Sequence, residues 1–181
     1  MKKLVIGAIV GGILVFLWQT LSWTALMIHA KEYRKTPNEA AIIQSLSSQL
    51  TEDGQYMVPV VEATATAAER EAAAAAMVGK PWAVINYHKA YKMDMVNNII
   101  RNFLVDIIAV FFVCCVLMKN TNSSFGSTFM STLFIGLSGY LFIPYAGTIW
   151  FQVPGATTNL IDVLLSWGLC GIWLGWWLNR K

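Results

Sequence analysis

The stretch of sequence that decides the fold is residues 96–118, which read VNNIIRNFLVDIIAVFFVCCVLM. This stretch is apolar over most of its length, and it exceeds the roughly 20 helical residues that are needed to cross the hydrocarbon core of a bilayer. It nevertheless contains Arg101 and Asp106, and charged side chains at membrane depth are costly unless they face a partner or water. The stretch therefore predicts a transmembrane helix with one polar face.

Three other stretches have a similar length and character, and they cover residues 4–29, 125–145 and 157–178. Of the 181 residues, 56% are hydrophobic and only 13% are charged, about half the charged share of a typical soluble domain. This composition excludes a disordered chain, and the net charge of +3 argues against a strongly basic nucleic-acid-binding protein. We therefore expect an all-α membrane protein with four transmembrane helices.

Residues 30–95 separate the first two spans and are expected to form a small α/β insertion outside the membrane. Two capping-box sequences, Thr36–Glu39 and Thr66–Glu69, predict the starts of two helices. Residues 56–61 and 82–88 have the composition of short strands. The predicted order is helix, strand, helix, strand, and the relative direction of the two strands stays open.

Basic residues and tryptophans indicate the orientation. If the N-terminus is cytoplasmic, the cytoplasmic segments contain five basic residues and no acidic residue, as the positive-inside rule requires. These residues are Lys2, Lys3, Lys119, Arg180 and Lys181. Tryptophans at both ends of the spans, including Trp18 and Trp23 on the outer side, are expected to anchor the helices at the interfaces. Both termini are therefore expected in the cytoplasm and the insertion outside it.

The polar residues of three spans are expected to converge in the outer half of the membrane. Asp162 lies at a depth between those of Arg101 and Asp106, which favours an ion pair between Asp162 and Arg101. One hypothesis is a ligand or ion pocket lined by Gln19, Asn98, Arg101, Asn102, Asp106 and Asp162. The alternative is a structural ion pair surrounded by hydrogen bonds between helices, which would fix the register of the helices.

The two histidines, His29 and His88, flank the predicted outer interface. Together with Glu32 or Asp94 they are weak candidates for a metal site, but they lack the spacing of known metal-binding motifs. The alternative is that both are amphipathic residues at the interface. We expect no metal and no cofactor, and no motif identifies a catalytic residue.

The first span reads FLW at residues 16–18 and SW at residues 22–23 and ends near His29, and residues 82–88 read WAVINYH. This pattern of aromatic and small residues resembles a group of bacterial inner-membrane proteins that have no assigned function. The resemblance implies a multi-pass protein of the bacterial inner membrane, in which the insertion expected outside the cytoplasm would be periplasmic. It implies no catalytic residues.

These features favour a non-enzymatic accessory component that binds a partner or ligand through an outward-facing polar pocket. The expected partners are the lipid bilayer and either another membrane protein or a second copy of the chain, with no nucleic acid. The alternative is a small oligomeric transporter or proton-coupled element that uses Arg101, Asp106 and Asp162. An enzyme is a third possibility.

Overall fold

The structure is a computed structural model that describes residues 1–120 and 122–180. In chain order the elements are α1 (Lys2–Thr20), α2 (Glu39–Gln49), β1 (Gly54–Val58), α3 (Ala67–Met77), β2 (Ala83–Tyr87), α4 (Met95–Leu117), α5 (Phe125–Phe142), α6 (Pro144–Phe151) and α7 (Ala156–Asn179). The chain forms two compact units, which we name unit 1 (Met1–Arg34 and Asp94–Lys181) and unit 2 (Lys35–Met93). Unit 2 corresponds to most of the predicted insertion.

Unit 1 contains four helical stretches that are long and apolar enough to cross a membrane. They are Lys2–Ala25, Met95–Leu117, Phe125–Phe151 and Ala156–Asn179. Many of their large apolar side chains point away from the other helices, including Leu104, Ile108 and Phe112 on α4. The prediction of a largely helical chain with four such stretches is confirmed.

The centre of unit 1 is the helix α1, which packs against α4 on one side and α7 on the other, while α7 also packs against α5. Small residues permit this close packing. A Cβ atom on Gly12 would lie 2.7 Å from the Cα atom of Ile107, and one on Gly175 would lie 2.9 Å from the Cδ2 atom of Phe125. The core between the helices includes Val110, Cys114, Cys170 and Leu174.

The end of the first span is a wider, π-helical turn over Leu21–Ala25. In this turn the Leu26 N–H donates to the carbonyl of Leu21, at 2.8 Å, five residues earlier. The hydroxyl groups of Thr20 and Thr24 donate to carbonyls four residues earlier and so compete with the regular helical hydrogen bonds. Met27 then adopts a positive φ of 48°, so the helix ends before His29 and not at residue 29.

The third span is divided into α5 and α6, whereas the sequence predicts one helix over residues 125–145. Pro144 has no N–H group to donate and disfavours helical geometry at the residue before it. Ile143 accordingly has φ −116° and ψ −69°, and Pro144 begins the next helix at the position where proline is best tolerated.

Unit 2 has the predicted order of helix, strand, helix and strand. The strands β1 and β2 are antiparallel, with Tyr56 opposite Ile85. The second capping box is present, since Thr66 and Glu69 exchange hydrogen bonds at the start of α3. The first capping box is wrong, because α2 begins only at Glu39 and its N-cap residue makes no side-chain capping bond.

Candidate functional site

His29 of unit 1 lies between two carboxylates just beyond the π-helical turn. Its Nδ1 atom is 2.7 Å from Oε1 of Glu32, and its Nε2 atom is 2.8 Å from Oδ2 of Asp162. An ionised carboxylate only accepts hydrogen bonds, so between two ionised carboxylates both ring nitrogens donate, as in the imidazolium form. The His29 side chain is only 2% exposed.

The second oxygen of Asp162 connects α7 to α1. Its Oδ1 atom accepts a hydrogen bond of 2.6 Å from Oγ of Ser22 and one of 3.0 Å from Nε1 of Trp18. Ser22 lies in the π-helical turn and is fully buried. Asp162 therefore has protein donors on both oxygens, which compensates the cost of removing the carboxylate from water.

The carboxylate of Glu32 lies at the start of α7, where it accepts a hydrogen bond from the hydroxyl group of Thr158. The partial positive charge at a helix N-terminus stabilises such an anion. Gly155 permits this contact, because a Cβ atom there would lie 2.7 Å from the Glu32 carboxyl carbon. Gly155 also has a positive φ of 98°, which favours glycine over other residues.

An aromatic ring completes the surroundings of His29. The ring of Trp23 stacks on the imidazole with a centroid distance of 4.0 Å and an interplanar angle of 5°. A positively charged ring is attracted to the face of an indole. We name this group the His29 cluster, which consists of Trp18, Ser22, Trp23, His29, Glu32, Thr158 and Asp162.

The pKa of His29 reflects two opposing effects. Burial lowers the pKa of the imidazole, whereas the hydrogen bonds and charges of Asp162 and Glu32 raise it. The net result is a pKa above the ordinary value of 6.5, so the charged form is retained to higher pH than in a free histidine. In this arrangement the His29 imidazolium connects the end of the first span to Asp162 on α7.

A second polar group, which we name the Asp106 cluster, lies between α1 and α4. Nε2 of Gln19 and Nδ2 of Asn102 each donate to the Asp106 carboxylate at 3.4 Å, and Nδ2 of Asn102 also donates to Oε1 of Gln19 at 2.8 Å. Asp106 is only 6% exposed. Gln19 is adjacent to Trp18, so consecutive residues of α1 connect to α4 and to α7.

The six residues of the predicted pocket therefore do not form one group. Gln19, Asn102 and Asp106 meet in the Asp106 cluster, whereas Asp162 belongs to the His29 cluster. Asn98 and Arg101 are exposed. Three of the six predicted residues are thus in mutual contact.

The predicted ion pair between Arg101 and Asp162 is wrong, because Asp162 pairs with His29 instead. Within residues 1–120 and 122–180, Arg101 takes part in no ion pair. Arg101 is the seventh residue of α4, about 9 Å from the start of the helix at 1.5 Å per residue. Its long side chain can carry the charge back toward the helix end, so it needs no buried partner.

The other histidine, His88, belongs to unit 2, where its Nδ1 atom lies 3.8 Å from Oδ2 of Asp53. Both side chains are exposed. The Lys89 N–H donates to Asp53 at 2.9 Å, and this bond, aided by the charge of His88, lowers the pKa of the Asp53 carboxyl group. In the part of the chain that the structure describes, no group of three or more His, Cys, Asp or Glu residues could hold a metal ion.

Sequence reasoning missed Trp18, Trp23 and Thr158 as members of a polar cluster. The two tryptophans were expected to be interface anchors, although the indole N–H of Trp18 donates to a carboxylate. The sequence does indicate part of the cluster, because Ser22 and His29 share a helical face and Asp162 is expected in the same half of the membrane. Depth along the helices favours Arg101 as the partner of the same acid.

Comparisons with known proteins return no match of this chain to a protein-family model, to a curated protein or to a solved structure.

Proposed function

We propose that the chain is a multi-pass protein of the bacterial inner membrane, with both termini in the cytoplasm and unit 2 on the periplasmic side. The outward-facing apolar side chains of the four long helices support insertion into a bilayer. The basic residues near the start of α1 and the end of α7 support the orientation. The bacterial assignment depends on the sequence resemblance.

We infer that this protein is a non-enzymatic accessory component that binds a partner protein through unit 2. The observation that carries this proposal is the poor burial of unit 2, in which Tyr87, at 8% exposure, is the only buried residue. Val60 and Val78 are 70% and 81% exposed. Two strands alone are marginally stable in water, so a partner that covers these side chains would supply the missing burial.

The polar residues of unit 1 support an accessory role over catalysis. Both oxygens of Asp162 accept hydrogen bonds from within the chain, and both nitrogens of His29 contact carboxylates. Neither ring nitrogen of His29 is therefore left to exchange a proton with a substrate. The His29 cluster therefore acts as a structural connection between helices.

The test of the proposal is photo-crosslinking in intact cells from a single position of α2. A photoreactive residue at Ile43, which is exposed and apolar, is expected to link to one defined membrane or periplasmic protein. The matched control is Ser48 on the same helix, about 140° around the axis, where no link is expected. If neither position links to a protein and the chain purifies in mild detergent as a lone monomer, the accessory role is wrong.

A second candidate function, a small oligomeric transporter or proton-coupled element, is favoured by the Asp106 cluster. Asp106 is buried and accepts hydrogen bonds only from amide groups, and no described residue forms an ion pair with it. A buried carboxylate without a cationic partner can exchange a proton or hold a cation. This candidate also uses Arg101 and Asp162, which the structure separates from Asp106.

Proton flux into liposomes that contain the purified protein separates the two functions. The transport function predicts flux by the wild type and its loss in Asp106→Asn, which keeps the shape of the side chain and one acceptor oxygen but cannot ionise. Asp53→Asn makes the same change at an exposed carboxylate of unit 2, and as the matched control it is expected to keep the flux. Wild-type flux no higher than in protein-free liposomes would exclude the transport function.

A further inference from the structure

At one end of unit 1, the charged side chains that the structure describes are all basic. Lys2 and Lys3 begin α1, Lys119 follows α4 and Arg180 follows α7, and all four are exposed. No Asp or Glu occurs in residues 1–31, 107–161 or 163–181. We name this surface, formed by Lys2, Lys3, Lys119 and Arg180, the basic end.

Two of these cations are held side by side by contacts between α1 and α7. The Lys3 ammonium group donates to the backbone carbonyl of Arg180, and the indole N–H of Trp177 donates to the carbonyl of Lys3 at 2.8 Å. The Arg180 guanidinium carbon lies 4.7 Å from the ring centroid of Trp177 and 5.1 Å from that of Trp176. The two helix ends thus bring Lys3 and Arg180 together.

The contact with the two indole rings leaves the guanidinium group able to bind an anion. Within the described residues the Arg180 guanidinium makes these cation–π contacts and donates no hydrogen bond to the protein. Its N–H groups lie in the plane of the group and point outward from its edge. A guanidinium edge of this kind binds two oxygens of a phosphate at once, and the Lys3 ammonium has donors beyond the one it uses on the carbonyl. The geometry therefore suits a phosphate group between Lys3 and Arg180.

We propose that the basic end binds the headgroup of an anionic phospholipid, whose phosphate contacts Lys3 and Arg180. A lipid is favoured over free phosphate because exposed apolar side chains continue from Arg180 along the same face of α7. They are Trp176, Ile172 and Leu169, which lie four, eight and eleven residues before Arg180. These side chains can contact the acyl chains of the lipid that supplies the headgroup. The proposal rests on the membrane insertion proposed above.

The test is the thermal stability of the full-length protein in a detergent with an uncharged headgroup. Phosphatidylglycerol is expected to raise the melting temperature, whereas phosphatidylcholine and inorganic phosphate at the same concentration are not. The double variant Lys3→Gln/Arg180→Gln is expected to lose most of this increase. The double variant Lys80→Gln/Lys92→Gln removes the same charge from unit 2 and is expected to keep it.

A second variant covers the case in which Lys3→Gln/Arg180→Gln fails to fold. Lys2→Gln/Lys119→Gln leaves the contacts between Lys3, Trp177 and Arg180 intact, and it is expected to reduce the increase partially. The proposal is overturned if phosphatidylcholine stabilises the wild type as much as phosphatidylglycerol does, or if the basic-end variants respond like the unit 2 control. Failure of membrane insertion is detected separately, by extraction of the wild type from cell membranes with alkaline carbonate.

Discussion

The positive partner of Asp162 is His29, which lies outside the long helices. The sequence analysis instead favours Arg101, which is expected at a similar depth in the membrane. The imidazole of His29 is short and rigid, and it is positioned by the end of the helix at Met27. Arg101 has a long side chain that can reach water, and burying it would require removing its charge from water. Side-chain length and the backbone turn thus decide the pairing.

Gly155 gives the first prediction. The change Gly155→Ala places a methyl group against the Glu32 carboxylate and forces a residue with a Cβ atom to adopt φ 98°. We expect a loss of about 1–3 kcal/mol of stability, the usual cost of such backbone strain, measured by thermal unfolding in detergent. Gly168→Ala, within α7, is the control, since no atom beyond its own helix backbone and chain neighbours lies within 4 Å of its Cβ position. Equal melting temperatures for the two variants would contradict the role of Gly155.

The protonation of His29 gives the second prediction. Its pKa is raised above 6.5, so its contribution to stability is complete below pH 6.5 and is lost as the pH rises through the raised value. The difference in melting temperature between the wild type and His29→Gln should therefore be largest in mildly acidic buffer and shrink in alkaline buffer. His88→Gln, at an exposed site in unit 2, should leave the pH profile unchanged. A difference that grows with pH would show that the ring is not held as an imidazolium.

The residues of the Asp106 cluster were predictable from the sequence, whereas the His29 cluster was only partly so. Asn102 and Asp106 lie four residues apart on one helix face, which helical periodicity predicts directly. The bond between His29 and Asp162 joins residues 133 positions apart and depends on the local turn after Ala25. No periodicity in the sequence signals that turn.

At the scale of the elements, hydropathy predicts the four long apolar stretches because their length and composition are local properties. Hydropathy does not predict the breaks in helical geometry within these stretches. Pro144 explains the break between α5 and α6 and could have been used to predict it. The π-helical turn depends on competing hydroxyl groups and on the packing of Ser22, which a hydropathy profile does not register.

The two capping boxes give the third prediction, because the structure retains only one of them. Thr66→Ala removes the side chain that caps α3 and is expected to cost about 1 kcal/mol of helix stability. Thr36→Ala, in the box that does not form, is expected to cost much less, because its hydroxyl group only accepts a bond from Asn38 N at 3.4 Å. Amide hydrogen exchange in α3 and in α2 measures both effects. Equal protection losses in the two helices would contradict the structure at the start of α2.

At the scale of the whole molecule, the two units differ in how much of their surface they bury. The helices of unit 1 share a core of fully buried side chains such as Val110 and Leu174. Unit 2 has one buried residue, Tyr87, and no comparable core. The cooperative stability of the purified chain therefore lies in unit 1.

This difference gives the fourth prediction, which concerns local opening. We expect the amides of unit 2 to exchange with solvent well before those of α1, α4 and α7, since regions with few buried contacts open at low free-energy cost. Hydrogen exchange followed by mass spectrometry of the purified protein measures this order. Strong protection of unit 2 in the isolated monomer would remove the need for a covering partner.

The π-helical turn allows the stretch between Gln19 and His29 to lose one residue without a change of register. The Leu26 N–H donates to the carbonyl of Leu21, so after deletion of Thr24 the same hydrogen bond would join residues four positions apart, as in a regular α-helix. The residues after the turn, including His29, would then keep their direction. A deletion in the regular part of α1 would instead rotate all following residues by about 100° around the helix axis, and His29 would face away from Asp162. One-residue deletions should therefore be tolerated between residues 21 and 25 and not in the preceding turns of α1.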